Sequence, residues 1–413
     1  MSTDPPTTSQ VQAYRFVVRR MESALVRRDA VMLHEPMRRH MRATAAGVIL
    51  GMFGLVAFFV AGKFRPVSEL SANEIIVGRP SQEIYVVQDN PRRLIPVRNL
   101  TSARLLLAAI SPGQQAPEAK TVEDSALAGV SRTQSTGIDG VPSLPAPENM
   151  IKSVWSVCDT AKIRPDLPNA PDSPNAQSLP QLSTTVLVQE RAPAGRVLGD
   201  ETALLTVEEN TGITYLVWRG QRERVDLVHD AAVRTYYRLS NVVPRKVSAG
   251  LLNAIPEGHP VTLPAIPVQV LSILTMAEAP VTCVTWRGAD RIPAVSIYPD
   301  GRLPAGAGDN PVQLPTAATG QTADFAFLPP GKGALARGVV PGQRPDTGAI
   351  WLVTAQGFRY GVPSSEVARA LGLGEVTSPA PESILNLLPI GPTLDPRHAL
   401  ELYNPTPAQR ADR

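Results

Sequence analysis

Twenty consecutive residues without a charge, 43–62, lie between Arg42 and Lys63, and nothing else in the chain constrains its fold as much. A helix of that length rises about 30 Å, the depth of a bilayer's hydrocarbon core. Ten of the twenty are Val, Ile, Leu, Met or Phe. Most of these favour mid-bilayer by roughly 0.3–0.6 kcal/mol each, and Gly47, Gly51 and Gly54 are tolerated inside lipid. With no polar interruption, the stretch predicts a membrane-spanning helix rather than a buried helix of a soluble core. A cleaved signal sequence is disfavoured, because the head before the span is too long for a charged leader and is itself patterned as a helix. The Gly47-x-x-x-Gly51 spacing permits close approach of another helix, but such spacing is common in membrane spans.

The span divides the charge unevenly, which the net value of +3 conceals. Residues 1–42 carry eight arginines against four acidic groups, whereas 66–413 carry 30 basic and 33 acidic groups. Only Lys63, Arg65 and Arg79 follow the span closely. The positive-inside bias therefore predicts a cytoplasmic N-terminus and an exported C-terminal region. That region is nearly neutral and poor in aromatics, which excludes a nucleic-acid surface with its basic stripe and stacking rings. The 41 prolines predict many loops and short strands.

In the head, Val11, Tyr14, Val18, Met21 and Leu25 recur at steps of three and four, lining one face of a helix. Arg15, Arg19, Arg20, Arg27 and Arg28 occupy the rest. So short a helix must bury its stripe on something else: a partner protein's cytoplasmic surface is the favoured reading, and membrane lipid headgroups the alternative. Pro36 is expected to break the helix, leaving MRRHMR (37–42) as a short basic collar.

The two cysteines, Cys158 and Cys283, both lie in the exported region. An oxidising compartment favours a disulfide over a metal site, which wants further Cys or His at close spacing. On the chain-entropy model so long a loop is worth about 5 kcal/mol. Trp155-x-x-Cys158 and Cys283-x-x-Trp286 mirror each other within alternating apolar and polar residues, predicting two central strands stapled together.

Three stretches share one design: IYVVQDNPRRLIPV from Ile84, TYLVWRGQRERVDL from Thr214 and IWLVTAQGFRYGVP from Ile350. Each has an aromatic followed by two aliphatics (Tyr85, Tyr215, Trp351), then turn residues, an arginine (Arg92, Arg222, Arg359) and an aliphatic three positions on (Ile95, Val225, Val362). These read as β-hairpins. Each precedes a helical piece with a second arginine: Arg104 in SARLLL, Arg234 in AVRTYYRL, Arg369 in VARALGL. LLNAIPEG from Leu251 and ILNLLPIG from Ile384 share an exit. Hairpin-plus-helix modules around a stapled sheet fit this pattern, with STTVLVQE and TLPAIPVQVLSIL assigned to that central sheet. Residues 111–149, 165–182 and 302–318 read as linkers or long loops. Between Cys283 and Lys332 no clean hairpin of the repeated kind stands out.

No reactive constellation emerges, and no cofactor or metal is expected. LPPGKGALARG (328–338) lacks the loop spacing and the hydroxyl of a phosphate-binding P-loop, so Lys332 is assigned to a tight turn. His229, His259 and His398 are far apart in sequence, and His229 beside Asp230 reads as a cap or surface group. The six module arginines either satisfy carbonyls and acids within each module, the favoured reading, or bind an anionic polymer such as cell-wall material.

YRFVVRRMESALVRRDAVMLHEPMRR, the span, EIYVVQDNPRRLIPVRNLTSARLLL, VWSVCDT, TYLVWRGQRERVDL, SAGLLNAIPEG, PGKGALARG and ILNLLPIGPTL occur in that order. Together they resemble EccB, a membrane component of actinobacterial type VII (ESX) secretion systems, from about Val11 to Leu394. The resemblance implies an α+β protein: a cytoplasmic amphipathic helix, one transmembrane helix, and an elongated periplasmic domain with repeat modules around a central β-sheet. It also implies a disulfide matching Cys158 and Cys283. Expected partners are EccC with its FtsK-like motor, EccD, EccE, the mycosin protease and further copies of the chain in a ring. Family members are sometimes labelled ATPases. The expected divisions are a cytoplasmic helix (1–42), the span (43–62), a first repeat (63–110), a proline-rich linker (111–149), the opening strands of the central sheet (150–200) and a second repeat (201–260). The closing strands of the central sheet with a reduced third repeat (261–340), a C-terminal repeat (341–396) and a tail (397–413) complete the chain. The expected role is a structural subunit scaffolding the secretion channel and its outer face, with an ATPase or an anchored cell-wall-binding protein as the alternatives.

Overall fold

The computed structural model describes residues 7–27, 36–63, 70–162, 181–259, 272–288, 292–306, 309–315, 322–340, 346–375 and 378–402. Two units separate within the chain, Met1–Glu69 and Leu70–Arg413. In the first, α1 (Thr8–Arg27) takes in the amphipathic head. Val11 and Val18 are half-buried, whereas Tyr14, Met21 and Leu25 are exposed. α2 (Pro36–Lys63) is a separate helix that the proline opens, and the expected collar forms its first turns. Proline suits that first position because its missing N–H has no intrahelical partner there and its φ is preset. Within α2, His40–Val60 is long and apolar enough to cross a bilayer.

The second unit opens with β1 (Ile75–Arg79), β2 (Ile84–Gln88), β3 (Arg93–Val97), α3 (Leu100–Ile110), β4 (Lys120–Glu123) and α4 (Asp124–Leu127). β2 and β3 form the expected hairpin, with Ile84 opposite Val97. β1 pairs antiparallel with β2, and α3 carries the chain across so that β4 lies parallel to β1, in the order β3-β2-β1-β4. The expectation that 111–149 is only a linker is corrected here. Val122 of β4 and Leu127 of α4 are buried with Ile76, Tyr85, Val87 and Leu94, an apolar anchorage strong enough to order a segment poor in aromatics.

Next come β5 (Val154–Lys162), β6 (Gln181–Gln189) and β7 (Arg196–Val197), then β8 (Thr202–Glu208), β9 (Thr214–Trp218), β10 (Gln221–Arg224), α5 (Ala231–Tyr236), β11 (Arg245–Val247), α6 (Ala249–Asn253) and β12 (Ser272–Ile273). The second small sheet has the order β10-β9-β8-β11, with β11 parallel to β8. β12 also pairs with β8, so Ser272 and Ile273 do not join the central sheet as expected; residues 262–271 of that run lie outside the described residues. Of the expected loop 165–182, only Gln181 and Leu182 are described, and they open β6.

β13 (Val281–Trp286), β14 (Ala294–Tyr298), β15 (Val312–Gln313) and β16 (Phe325–Phe327) belong with β5, β6 and β7 in a seven-stranded sheet ordered β15-β16-β6-β5-β13-β14-β7. Within the expected division 261–340, β13 to β16 supply the closing strands of the central sheet, the expected reduced third repeat forms no small sheet of its own among the described residues, and the expected loop 302–318 includes β15. A third small sheet follows: β17 (Gly333–Val339), β18 (Ile350–Thr354), β19 (Arg359–Val362), α7 (Ser365–Ala370), β20 (Ser378–Pro381) and α8 (Glu382–Leu385), again ordered β19-β18-β17-β20 with β20 parallel to β17.

The helices after the hairpins start at like caps. Asn99, Asp230 and Ser364 each accept a backbone N–H three residues on, from Ser102, Val233 and Val367. In the largest core, Trp155, Val157, Val284 and Trp286 of the central sheet meet Leu204 and Val217 of the second small sheet and Ala336 and Val353 of the third. α6 and α8 close it with Leu251, Leu252, Ile384 and Leu385. A Cβ on Gly250 would stand 2.9 Å from Leu387, so α6 meets the segment just after α8 through a glycine. A second core joins the first and third small sheets, burying Ala103, Leu105 and Leu106 of α3 with Ala368 and Leu371 at α7. Leu394 and Ala399, from the last described stretch, are fully buried in it.

Candidate functional site

Successive side chains on a strand alternate faces, so Trp155 and Cys158, three apart, must point to opposite sides of β5. The two tryptophans accordingly enter the large core, while the cysteines lie in a smaller one with Leu187, Val281, Tyr298 and Phe327. β5 and β13 run antiparallel with Cys158 opposite Cys283 and Trp155 opposite Trp286. The cysteines form a disulfide, fully buried, at a Cα–Cα distance of 4.0 Å. Trp286 Nε1 donates to the Ala254 carbonyl at 2.8 Å, tying the stapled strands to the end of α6.

Asp159, one residue beyond the staple, makes a second tie that the sequence reading missed. Its carboxylate accepts from Thr184 Oγ1, Ser248 Oγ and Ser248 N at 2.8, 2.8 and 2.7 Å. Ser248 is also the N-cap of α6. Burial pushes the Asp159 carboxyl up to about 6, although those hydrogen bonds and the Arg245 charge pull the other way. Arg245, buried on β11, is pushed down to about 10 by burial, opposed by the Asp159 charge. An acid inside a strand that otherwise alternates apolar and hydroxyl residues was the available signal.

The module arginines fall into different roles. Arg222 Nη1 donates to Asn253 Oδ1 at 3.0 Å, and its guanidinium stands 5.5 Å from the Tyr215 ring centroid. Arg359 repeats this on Asn386 Oδ1 at 2.8 Å and on Trp351 at 4.5 Å. Both asparagines come from the shared exit motif. The expected match of Arg92 to these two is corrected: the first hairpin turn is longer, so the position opposite the residue two after the aromatic is Leu94, not Arg92. The same register places Val97, not Ile95, level with Val225 and Val362. Arg92 pairs with Asp89 at 3.2 Å on the surface. Over Tyr85 stands Arg132, 5.3 Å from the centroid, from the segment that bridges Leu94 as Glu257 and Ile390 bridge Arg222 and Arg359.

On the helices, Arg104 and Arg369 are each five residues beyond their caps, whereas Arg234 is four beyond. Arg104 Nη1 reaches the Leu371 carbonyl of the third module at 3.3 Å, and Arg234 Nη1 the Leu227 carbonyl of its own at 2.6 Å. Arg369 borders a hollow of about 380 Å³ together with Gln114, Gln115 and Glu366. Lys332 lies in a tight turn, its N–H on the Pro329 carbonyl at 3.0 Å and its Nζ 3.3 Å from Asn149 Oδ1. His229 is exposed and meets Asp226, while the α5 cap is Asp230. Among the described residues no cluster of three His, Cys, Asp or Glu side chains could hold a metal.

One bilayer-length helix and a disulfide-stapled body of four sheets define a membrane-anchored α+β protein whose polar side chains tie modules to a centre. A family model described as "Type VII secretion system ESX-1, transport TM domain B", the EccB component, matches residues 3–271 and 265–407, and the chain belongs to this family. "ESX-1 secretion system ATPase EccB1" of Mycolicibacterium smegmatis (strain MKD8) is 25% identical, over 97% of this chain and 96% of that protein. "ESX-3 secretion system ATPase EccB3" of Mycobacterium tuberculosis (strain ATCC 25618 / H37Rv) is 26% identical, over 95% and 89%. Among solved structures, a chain of an intact ESX-5 inner membrane complex has a TM-score of 0.60 at 24% identity, covering 100% of this chain and 98% of that one. An EccB3 dimer from the ESX-3 core complex gives 0.62 at 22%, covering 80% and 100%.

Proposed function

We propose that the chain is a structural membrane subunit of a type VII (ESX) secretion complex, anchored by α2 and organising the outer face of the channel. The observation that carries this is the family match running through nearly the whole chain. The three small sheets, alike in strand order and in their capped crossover helices, read as copies of one module set around the stapled sheet. Residues 1–42 are assigned to the cytoplasm, 43–62 to the bilayer and the remainder to the periplasmic side, from the arginine imbalance. The head helix then meets cytoplasmic partners through Val11, Tyr14, Val18, Met21 and Leu25. The partners assigned from the family resemblance are EccC, EccD, EccE, the mycosin protease and further copies of the chain, the last in keeping with the EccB3 dimer.

The relatives' names raise a nucleotide-hydrolysing reading. Against it, the glycine-rich turn at Lys332 runs into the strand β17, whereas a phosphate cradle relies on the N-terminus of a helix. The cell-wall reading through the module arginines is weakened by the asparagine and carbonyl partners that hold four of them. Native-membrane copurification, read by mass spectrometry, tests the proposal: recovery with a motor subunit and other ESX membrane components is expected, and recovery without any motor subunit counts against it.

A further inference from the structure

The three hairpins differ at one position that neither packing nor backbone explains. Opposite the aromatic stands Pro96 for Tyr85, Arg224 for Tyr215 and Gly361 for Trp351. Gly361 does not have a left-handed φ. A Cβ there would meet Thr393 at 3.5 Å and Trp351 at 3.8 Å, ordinary van der Waals contact. A glycine that is not needed for geometry leaves space beside the indole. The space is a shallow groove of about 340 Å³, bordered by Trp351, Gly361, Pro363, Ser364, Ser365 and Thr393. The indole is held by Arg359, which Asn386 fixes in turn.

We propose that this groove binds one pyranose ring of a neutral saccharide. The C–H face of a sugar carries partial positive charge and suits the negative face of an aromatic ring. Small residues beside the ring leave room for a flat ligand, and Ser365 and Thr393, both bordering the groove, supply hydroxyls for orientation. Of the nearby guanidinia, Arg359 donates to Asn386, and Arg337, which also borders the groove, donates to the Gly348 carbonyl at 2.8 Å, so the protein itself holds both in place. A proline-rich peptide wants a longer aromatic-lined groove, and this one offers a single ring.

The test uses the full chain in a zwitterionic, sugar-free detergent, titrated with cellotetraose, maltotetraose and chitotetraose and followed by saturation-transfer NMR. Saturable binding of at least one is expected, with a dissociation constant of about 1 mM. Trp351→Ala and Gly361→Arg, the second copying the residue of the middle hairpin, should each weaken it at least about tenfold. Gly361→Arg should leave the melting temperature unchanged; should it misfold, Gly361→Val carries the same test with less bulk. Absence of saturable binding by all three sugars up to about 10 mM overturns the proposal, as does binding that a folded Gly361 variant leaves within about twofold.

Discussion

Asp159 and the two cysteines lie on neighbouring positions of paired strands yet act on stability in different ways. The native state holds the Asp159 proton more tightly than an unfolded chain would, because its carboxyl sits at about 6 rather than 3.8. Its contribution to stability is therefore fullest below pH 4, declines as the pH rises to about 6, and is flat above, a change of about 3 kcal/mol. Urea unfolding of wild type and Asp159→Asn across pH 4–7 should show that slope in the difference between them. A constant difference would place the proton elsewhere. The disulfide joins residues 125 positions apart. Replacing both cysteines by alanine should lower the unfolding free energy by about 3–5 kcal/mol, read from the urea midpoint. Gly348 is the tightest backbone contact: a Cβ there would stand 1.6 Å from the Gly338 carbonyl oxygen, and that atom belongs to the backbone of β17. Gly348→Ala should lower the melting temperature by about 10 °C or more, whereas Gly199→Ala, with open space around it, should change it little.

Elements were legible in the sequence where they form by local rules. The hairpins at 84–97, 214–224 and 350–362 carried aromatic and aliphatic runs broken by turn residues, and the structure folds them at those places. The helices behind them began at Asn, Asp and Ser caps. What escaped were the strands completing each sheet. β4, β11 and β20 are three or four residues long and pair in parallel with strands far back in the chain, so no turn announces them. β20 even reads SPAP, which is tolerable only at a sheet edge, where it does lie. Registers escaped too, because hairpin turns of unequal length shift an arginine by two positions without changing the look of the motif. At this scale Asn386→Ala should free Arg359 from its anchor. A loss of about 1 kcal/mol is expected, and Asn253→Ala should match it if the two clasps are equivalent.

At the scale of the whole chain, the candidate sites were only partly readable, since they are assembled from separate modules. Arg104 reaches a carbonyl 267 positions away, and the Asp159 tie spans the central and second sheets. The topology itself was inferred from charge alone. Protease added to right-side-out inner-membrane vesicles, which expose the periplasmic face, should cleave within 70–413 and spare an epitope placed before residue 8. The opposite pattern would reverse the orientation.

The last described residues lodge against the first module's helix, with Ala399 buried beside α3. The half of the body synthesised earliest therefore shows an oily flank until Ala399 has been added. Such distant closures are slow, so the nascent chain has to be shielded there for most of its length. A product that stops short of Leu394 would never seal.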